Sequence, residues 1–380
     1  MDFSLTEEQL AIRDMAESFA RDEIAPYALA WDETKHFPVN VIRKAAGLGL
    51  GGIMVSEEHG GSGLGRMEAV LIYEALAKGC PAISAYLSIH NMVATMIDRH
   101  GSTAQRQTYL PRLCSADILA SYCLTEPACG SDAAALATRA ERDGEDFLLT
   151  GQKMFISGAG ATDLYVVMAR SGGPGPKGIT AFLVEKGTEG LTFGANEKKM
   201  GWNAQPTRTV TLDRVRVTAD AMLGSEGAGF KLAMEALDGG RTSIAACSLG
   251  GAQSAFEKAV AYTGERKAFG QKLNDFQALQ FTIADMATEL EASRTLLWRA
   301  ACALEAKSPE ATRLCAMAKK YVTDCGFEVA NRALQLHGGY GYLADYGVEK
   351  IVRDLRVHQI LEGTNEIMRL IIARSVLSEL

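Results

Sequence analysis

Four short segments carry the side chains whose types and spacing suit chemistry. Leu361-Glu362-Gly363-Thr364-Asn365-Glu366 interrupts two helical patterns. The break puts the Glu362 carboxylate on a short loop, where it can point into a cavity, and Thr364 at the start of the next helix, whose N–H groups favour phosphate. Asp238-Gly239-Gly240-Arg241 lies inside a pattern that otherwise reads as helix. Two glycines there cost on the order of 1 kcal/mol each relative to Ala, so close approach of a ligand or another helix is the expected compensation, and Arg241 suits an anion. Tyr122-Cys123-Leu124-Thr125-Glu126-Pro127-Ala128-Cys129-Gly130-Ser131-Asp132 offers the Thr125 and Ser131 hydroxyls and the N–H groups around Gly130 to a polar ring or a phosphate. Phe155 and Ser157, at i and i+2, could stack on and bond a flat heterocycle from one strand face. Each segment alone also has a plainer reading: a solvated surface loop, helix packing, an Asx or ST turn, and β-core packing.

The elements that must position these side chains follow from periodicity. From Ser4 to about 117 the pattern is helical, opening on Ser4-x-x-Glu7 as a capping box, with the first helix ending near Trp31 and further helices over 39–48, 66–78, 82–99 and 103–114. From 118 to 224 short β-branched and aromatic runs alternate with turn formers such as Asp143-Gly144, which predicts an antiparallel β domain. From 225 to 380 long helical periods return, over 227–263, 276–306, 309–335, 345–360 and from 366, as a four-helix-bundle-type domain. The fold class is therefore α+β, multidomain, in the order α, β, α, and not a doubly wound sheet.

Composition excludes several function classes. The chain has 380 residues with 46 acidic and 39 basic side chains, a net charge of −7, so nucleic acid is not an expected partner. No window approaches 18 apolar residues, and the acidic start, Met1-Asp2-Phe3-Ser4-Leu5-Thr6-Glu7-Glu8, does not resemble a secretion signal; a non-membrane protein of the bacterial cytoplasm is expected. None of the eight cysteines forms Cys-x-x-Cys, so no metal is expected, and Cys247, Cys302, Cys315 and Cys325 sit in apolar stretches, as small hydrophobes do in a reducing compartment. Gly60-Gly61-Ser62-Gly63-Leu64-Gly65 follows no strand and is a loop rather than a dinucleotide fingerprint; there is no Walker loop either.

Taken in order, the four segments together with Arg266-Lys267-Ala268-Phe269-Gly270 and Gln335-Leu336-His337-Gly338-Gly339-Tyr340-Gly341 resemble the acyl-CoA dehydrogenase family over essentially the whole chain. The resemblance implies an N-terminal helical domain, a middle β domain and a C-terminal helical bundle that bind FAD. Tyr122, Cys123, Leu124, Thr125, Gly130, Ser131, Phe155, Ile156 and Ser157 would surround the isoalloxazine. Arg266, Phe269, Phe276, Gln277, Gln335, Gly338 and Gly339 would reach the rest of the cofactor from a neighbouring subunit, and Thr364, Asn365 and Glu366 would lie along its pyrophosphate and ribose. A homotetramer, a dimer of dimers, is implied, as is electron-transferring flavoprotein as acceptor. Asp238, Gly239, Gly240, Arg241, Ser131 and Arg374 would meet the acyl-CoA.

The family places its catalytic base either in the Glu-Gly-Thr segment or just before the helix Arg. Here the second position is Gly240, so the resemblance assigns the base to Glu362. Gly172 to Gly178, Gly201 to Arg208 and Val357 to Gly363 resemble the branch acting on isobutyryl-CoA in valine catabolism, with Leu361 where straight-chain members usually carry Tyr. The expected reaction is isobutyryl-CoA to methacrylyl-CoA. Dehydrogenation of 2-methylbutyryl- or butyryl-CoA, an oxygen-using relative, and a non-catalytic scaffold are the alternatives.

Overall fold

The computed structural model describes residues 4–378; Met1, Asp2 and Phe3 of the acidic N-terminal stretch lie outside the described residues. Helix α1 (Glu7–Phe19) opens on a capping box made by Thr6 and Gln9, not by Ser4 and Glu7: the Thr6 hydroxyl accepts from the Gln9 N–H and the Gln9 amide returns the bond. Both quartets fit the pattern, and the helix start chooses between them. The expected single helix to Trp31 is broken by a π-turn over Ala20–Ile24 and a 3₁₀ turn over Ala25–Tyr27 around Pro26, before α2 (Ala28–Thr34). Proline has no N–H to continue the ladder, which accounts for the break. Helices α3 (Val39–Ala46), α4 (Arg66–Gly79), α5 (Pro81–His100) and α6 (Thr103–Cys114) fall where periodicity places them.

The middle of the chain forms one sheet from β1 (Ala120–Cys123), β2 (Arg139–Asp143), β3 (Asp146–Ser157), β4 (Leu164–Arg170), β5 (Ile179–Glu185), β6 (Leu191–Phe193), β7 (Thr207–Val217) and β8 (Met222–Leu223). The path runs β6-β7-β3-β2-β4-β5-β8, with β1 beside β4. The sheet is mixed and not antiparallel throughout, because β1 and the start of β2, at Arg139, both run parallel to β4. Alternation along a strand reports which face is buried, not the direction of a partner 40 residues away. Along β7, Val210 and Leu212 are buried between the outward Thr209, Thr211 and Asp213.

Helix α7 (Gly229–Glu265) then runs 37 residues through the molecule and packs on α4, α5, α8 (Gln277–Glu305) and α9 (Ala311–Leu336). One continuous core joins N-terminal and C-terminal helices, from Tyr73 and Tyr86 to Ile244 and Leu355. A short ribbon of β9 (Lys267–Ala268) and β10 (Gln271–Lys272) follows α7. The helix expected over 345–360 is shorter: α10 (Val348–Arg356) buries Val348, Ile351 and Leu355, and a 3₁₀ turn over Val357–Gln359 leads into the Glu362 loop and α11 (Asn365–Leu377). All eight cysteines are unpaired; Cys302 is exposed, contrary to its apolar surroundings in the sequence, whereas Cys247 and Cys315 are buried. No helix among the described residues is long and apolar enough to cross a membrane.

Candidate active site

The loop between α10 and α11 sets the site. Glu362 adopts φ +57° and Gly363 φ +87°, consecutive left-handed residues, and the first is strained for a residue with a Cβ. Thr364 caps α11 by accepting from the Ile367 N–H. Behind the loop stands Lys319, fully buried on α9, whose Nζ donates to the Gly363 carbonyl at 2.8 Å and to Asn365 Oδ1 at 2.8 Å. This lysine was not singled out from sequence. Asn365, the first residue of α11, donates its side-chain amide N–H groups to Thr323 and Asp324.

Glu362 Oε2 is buried and has no hydrogen-bond partner. It occupies the space beside Gly240: a Cβ built there would stand 2.5 Å from Oε2. The helix glycine is thus explained by a carboxylate lying against the helix backbone. Burial pushes the Glu362 carboxyl up to about 7, against the pull of the cations Arg241 and Lys319. Its backbone N–H has no partner among the described residues. Arg241 is buried and pairs with Asp238, which also accepts from Thr312, so its charge is neutralised and fixed. A narrow cleft between α5 and α7 begins at Gly239 and Gly240 and is walled by Met92, Met96 and Leu232 together with polar side chains that include Arg99, His100 and Glu235.

Tyr122 reaches the same region from β1. Its hydroxyl is buried without a partner and is pushed well above the usual phenol range by burial and by Glu362. Cys123, at the end of β1, and Leu124 after it are buried, Thr125 is half-buried, and Gly130 and Ser131 are exposed on the loop. That loop is pinned by an ion pair that sequence reading missed: Lys153 Nζ donates to Glu126 Oε1 at 2.7 Å and to the Leu124 carbonyl at 3.1 Å, and Glu126 also accepts from the Ala137 and Thr138 N–H groups. Burial raises Glu126, but Lys153 and those N–H groups outweigh it and hold the carboxyl below its usual range.

Breaking such a pair from one side leaves a bare charge in the interior, so Lys153→Met is expected to cost about 3–5 kcal/mol. A thermal melt checks this, and an unchanged midpoint contradicts it. Because the folded Glu126 value is depressed, Glu126's own contribution is present above the free carboxyl value of about 4.3 and is lost as pH falls through the lower folded value, whereas burial pulls Lys153 below its usual range and offsets part of the pair's gain.

Phe155 and Ser157 do not share a simple strand face. The register between β3 and β7 shifts between Lys153 and Ile156, Phe155 takes φ +61°, and its ring is 59% exposed. The bulge re-aims the aromatic side chain while Ile156 stays in the core and Ser157 remains half-buried. Gln205, fully buried, donates through Nε2 to Ser157 Oγ at 3.3 Å, and its Oε1 has no partner. The Ser157 hydroxyl hydrogen is therefore left to donate elsewhere. Orphaned polar atoms on Tyr122, Gln205 and Glu362, beside an exposed aromatic ring and the uncrowded Gly130, fit a flat heterocycle with donor and acceptor edges.

A second group lies apart. Arg266, Gln335, Gly338 and Gly339 line an open cleft of about 690 Å³ together with Tyr262, His337 and Tyr340. Arg266 sits over the Tyr340 ring, and Phe269, 96% exposed, meets Phe276 edge to face just before Gln277 opens α8. Glu366 is exposed and pairs with Arg369. The Arg374 guanidinium is exposed on α11 and makes no hydrogen bond or ion pair among the described residues, so the structure does not tie it to Asp238 and Arg241.

Comparison with known proteins agrees along the whole chain. Residues 6–117, 121–215 and 227–377 match the N-terminal, middle and C-terminal domain models of acyl-CoA dehydrogenase. A mitochondrial isobutyryl-CoA dehydrogenase of Bos taurus is 52% identical over 375 residues, covering 99% of this chain and 90% of that one. The structure of butyryl-CoA dehydrogenase from Megasphaera elsdenii superposes with a TM-score of 0.96 at 37% identity, covering 99% of this chain and all of the other. A chain in a structure of the electron transferring flavoprotein of Acidaminococcus fermentans gives a TM-score of 0.97 at 40% identity, with 99% and 100% covered.

Proposed function

The chain belongs to the acyl-CoA dehydrogenase family, and from that premise we propose that it is an FAD enzyme converting isobutyryl-CoA to methacrylyl-CoA, with Glu362 as the base. The observation that carries the assignment of the base is the Glu362 carboxylate: one oxygen buried and unpartnered, its pKa pushed up to about 7, laid against a helix position with no side chain. A base with that value is ionised enough at neutral pH to take a proton and strong enough to want it.

In this scheme Glu362 removes the proton α to the thioester carbonyl. Its own unengaged N–H is a donor for the carbonyl oxygen as negative charge develops there, an oxyanion-hole role. FAD, when bound, supplies the acceptor for the β-hydrogen and its electron pair. Ser157, held from behind by Gln205, would present its hydroxyl to the cofactor's polar edge, and Phe155 its ring. Asp238 and Arg241 would steady the acyl-CoA at the cleft mouth.

The cleft around Arg266 and Gly338 is read as half a cofactor site completed by a second subunit, which suits the exposed Phe269 and Tyr342 and requires at least a dimer; a homotetramer, a dimer of dimers, is the assembly proposed. The acceptor proposed is electron-transferring flavoprotein, and the unpaired cysteines suit a reducing compartment such as a bacterial cytoplasm.

The test is the visible spectrum of the purified protein under anaerobic conditions. A bound-flavin band that bleaches on adding isobutyryl-CoA is expected; a band that bleaches only with butyryl-CoA or 2-methylbutyryl-CoA moves the substrate, and absence of flavin removes the enzymatic reading. Leu361, half-buried beside the base, is proposed to leave room for the α-methyl group. Leu361→Tyr is expected to lower the isobutyryl to butyryl ratio of kcat/KM about tenfold, measured with matched CoA esters; an unchanged ratio rules the residue out.

A further inference from the structure

Arg66 opens α4 with its side chain turned inward, only 7% exposed. Its guanidinium makes no hydrogen bond or ion pair among the described residues. Glu305, an acid near enough to act on it, spends its Oε2 on the Arg66 backbone N–H at 2.8 Å. Burial, and the like charge of Arg99, pull the Arg66 pKa below the ordinary guanidinium range, as expected of a cation that keeps little of its water. An unpaired buried charge is costly, and chains keep such a group where it acts on a ligand.

The surroundings indicate the ligand. Arg66 lines the same cleft as Gly239, Gly240, Met92 and Met96. A Cβ built on Gly239 would stand 2.8 Å from Arg66 Nη1 and 3.0 Å from Nη2, just as one on Gly240 would meet the Glu362 carboxylate at 2.5 Å. The two glycines are neighbours on one helix turn. The reacting end of the cleft is therefore marked by a carboxylate over one glycine, and its inner wall by a cation over the next.

We propose that Arg66 is the specificity residue that closes the acyl pocket to longer straight chains. A short acyl group fills the space beside Gly240 and stops before the guanidinium. A longer apolar chain must push methylenes against the cation and strip its remaining water, with no hydrogen bond in return. A chain of the same length ending in a hydroxyl meets a donor instead.

This rests on the acyl-pocket assignment above, and the tests fail separately: the isobutyryl to butyryl ratio reads the substrate, whereas the hexanoyl to butyryl ratio reads Arg66. In Arg66→Met the hexanoyl to butyryl ratio of kcat/KM is expected to rise about tenfold or more, and in Arg66→Lys, which keeps the charge, to stay near wild type. An unchanged ratio in a flavin-loaded Met variant, or an equal rise in the Lys variant, overturns the assignment. Wild-type enzyme supplies a measurement that needs no variant: 4-hydroxybutyryl-CoA should compete more tightly than pentanoyl-CoA, and the reverse order also overturns it.

Discussion

Glu362→Gln is expected to lower the rate of flavin reduction by acyl-CoA by roughly 10³-fold or more, toward the upper end of what a general base contributes. The protein should fold and bind FAD as before, because the lost carboxylate oxygen makes no hydrogen bond and Gln is of the same size. Anaerobic stopped-flow reduction measures the first effect, and flavin content with the thermal midpoint measures the second. A variant that reduces within tenfold of wild type would place the base elsewhere.

The pH dependence has a definite sign. With Glu362 as the proposed base, wild-type kcat/KM should rise with pH and level off above about 7, since in that scheme only the ionised carboxylate takes the proton. Stability moves the other way. The folded carboxyl sits at about 7 against about 4.3 when unfolded, so its contribution is fully present below pH 4.3 and is lost as pH rises through the folded value. The Gln variant should lack that slope.

How much of the fold and site is legible in the sequence follows from how local each signal is. The Glu362 loop was legible because α10 and α11 have strong periods on either side of it, and the Gly239-Gly240 pair because glycine in a helix demands a reason. The parallel partnership of β1 with β4 was not, since strand alternation carries no information about a distant partner's direction. Nor was the bulge that turns Phe155 outward, which depends on the register of β3 against β7.

The buried cations were the largest omission. Lys153 and Lys319 look like any surface lysine until Glu126 and the Gly363 carbonyl are seen beside them. One faint signal existed: Cys315, Lys319 and Thr323, spaced by four, share one face of α9, and all three are buried. A lysine in the middle of such a stripe must find polar partners inside, and here the partner is the Glu362 loop.

Lys319→Met should accordingly show the second large effect, a fall in kcat/KM of about 100-fold, the scale on which small misplacements of catalytic groups act. Its Nζ ties both sides of the left-handed turn, the Gly363 carbonyl and the Asn365 amide oxygen, so losing it frees a strained segment that carries Glu362, the proposed base. It also acts on charge. Burial pulls the Lys319 pKa down to about 8, which still leaves it protonated at neutral pH, and from there it holds Glu362 lower than burial alone would. Removing that charge must raise the Glu362 pKa, so the acid limb of kcat/KM should move above pH 7. Lys319→Arg, which keeps the charge but not the shape, should restore the limb more fully than the rate. If the Met variant is slow while its limb stays at about 7, Lys319 only braces the loop; if the limb moves down, the electrostatic assignment has the wrong sign.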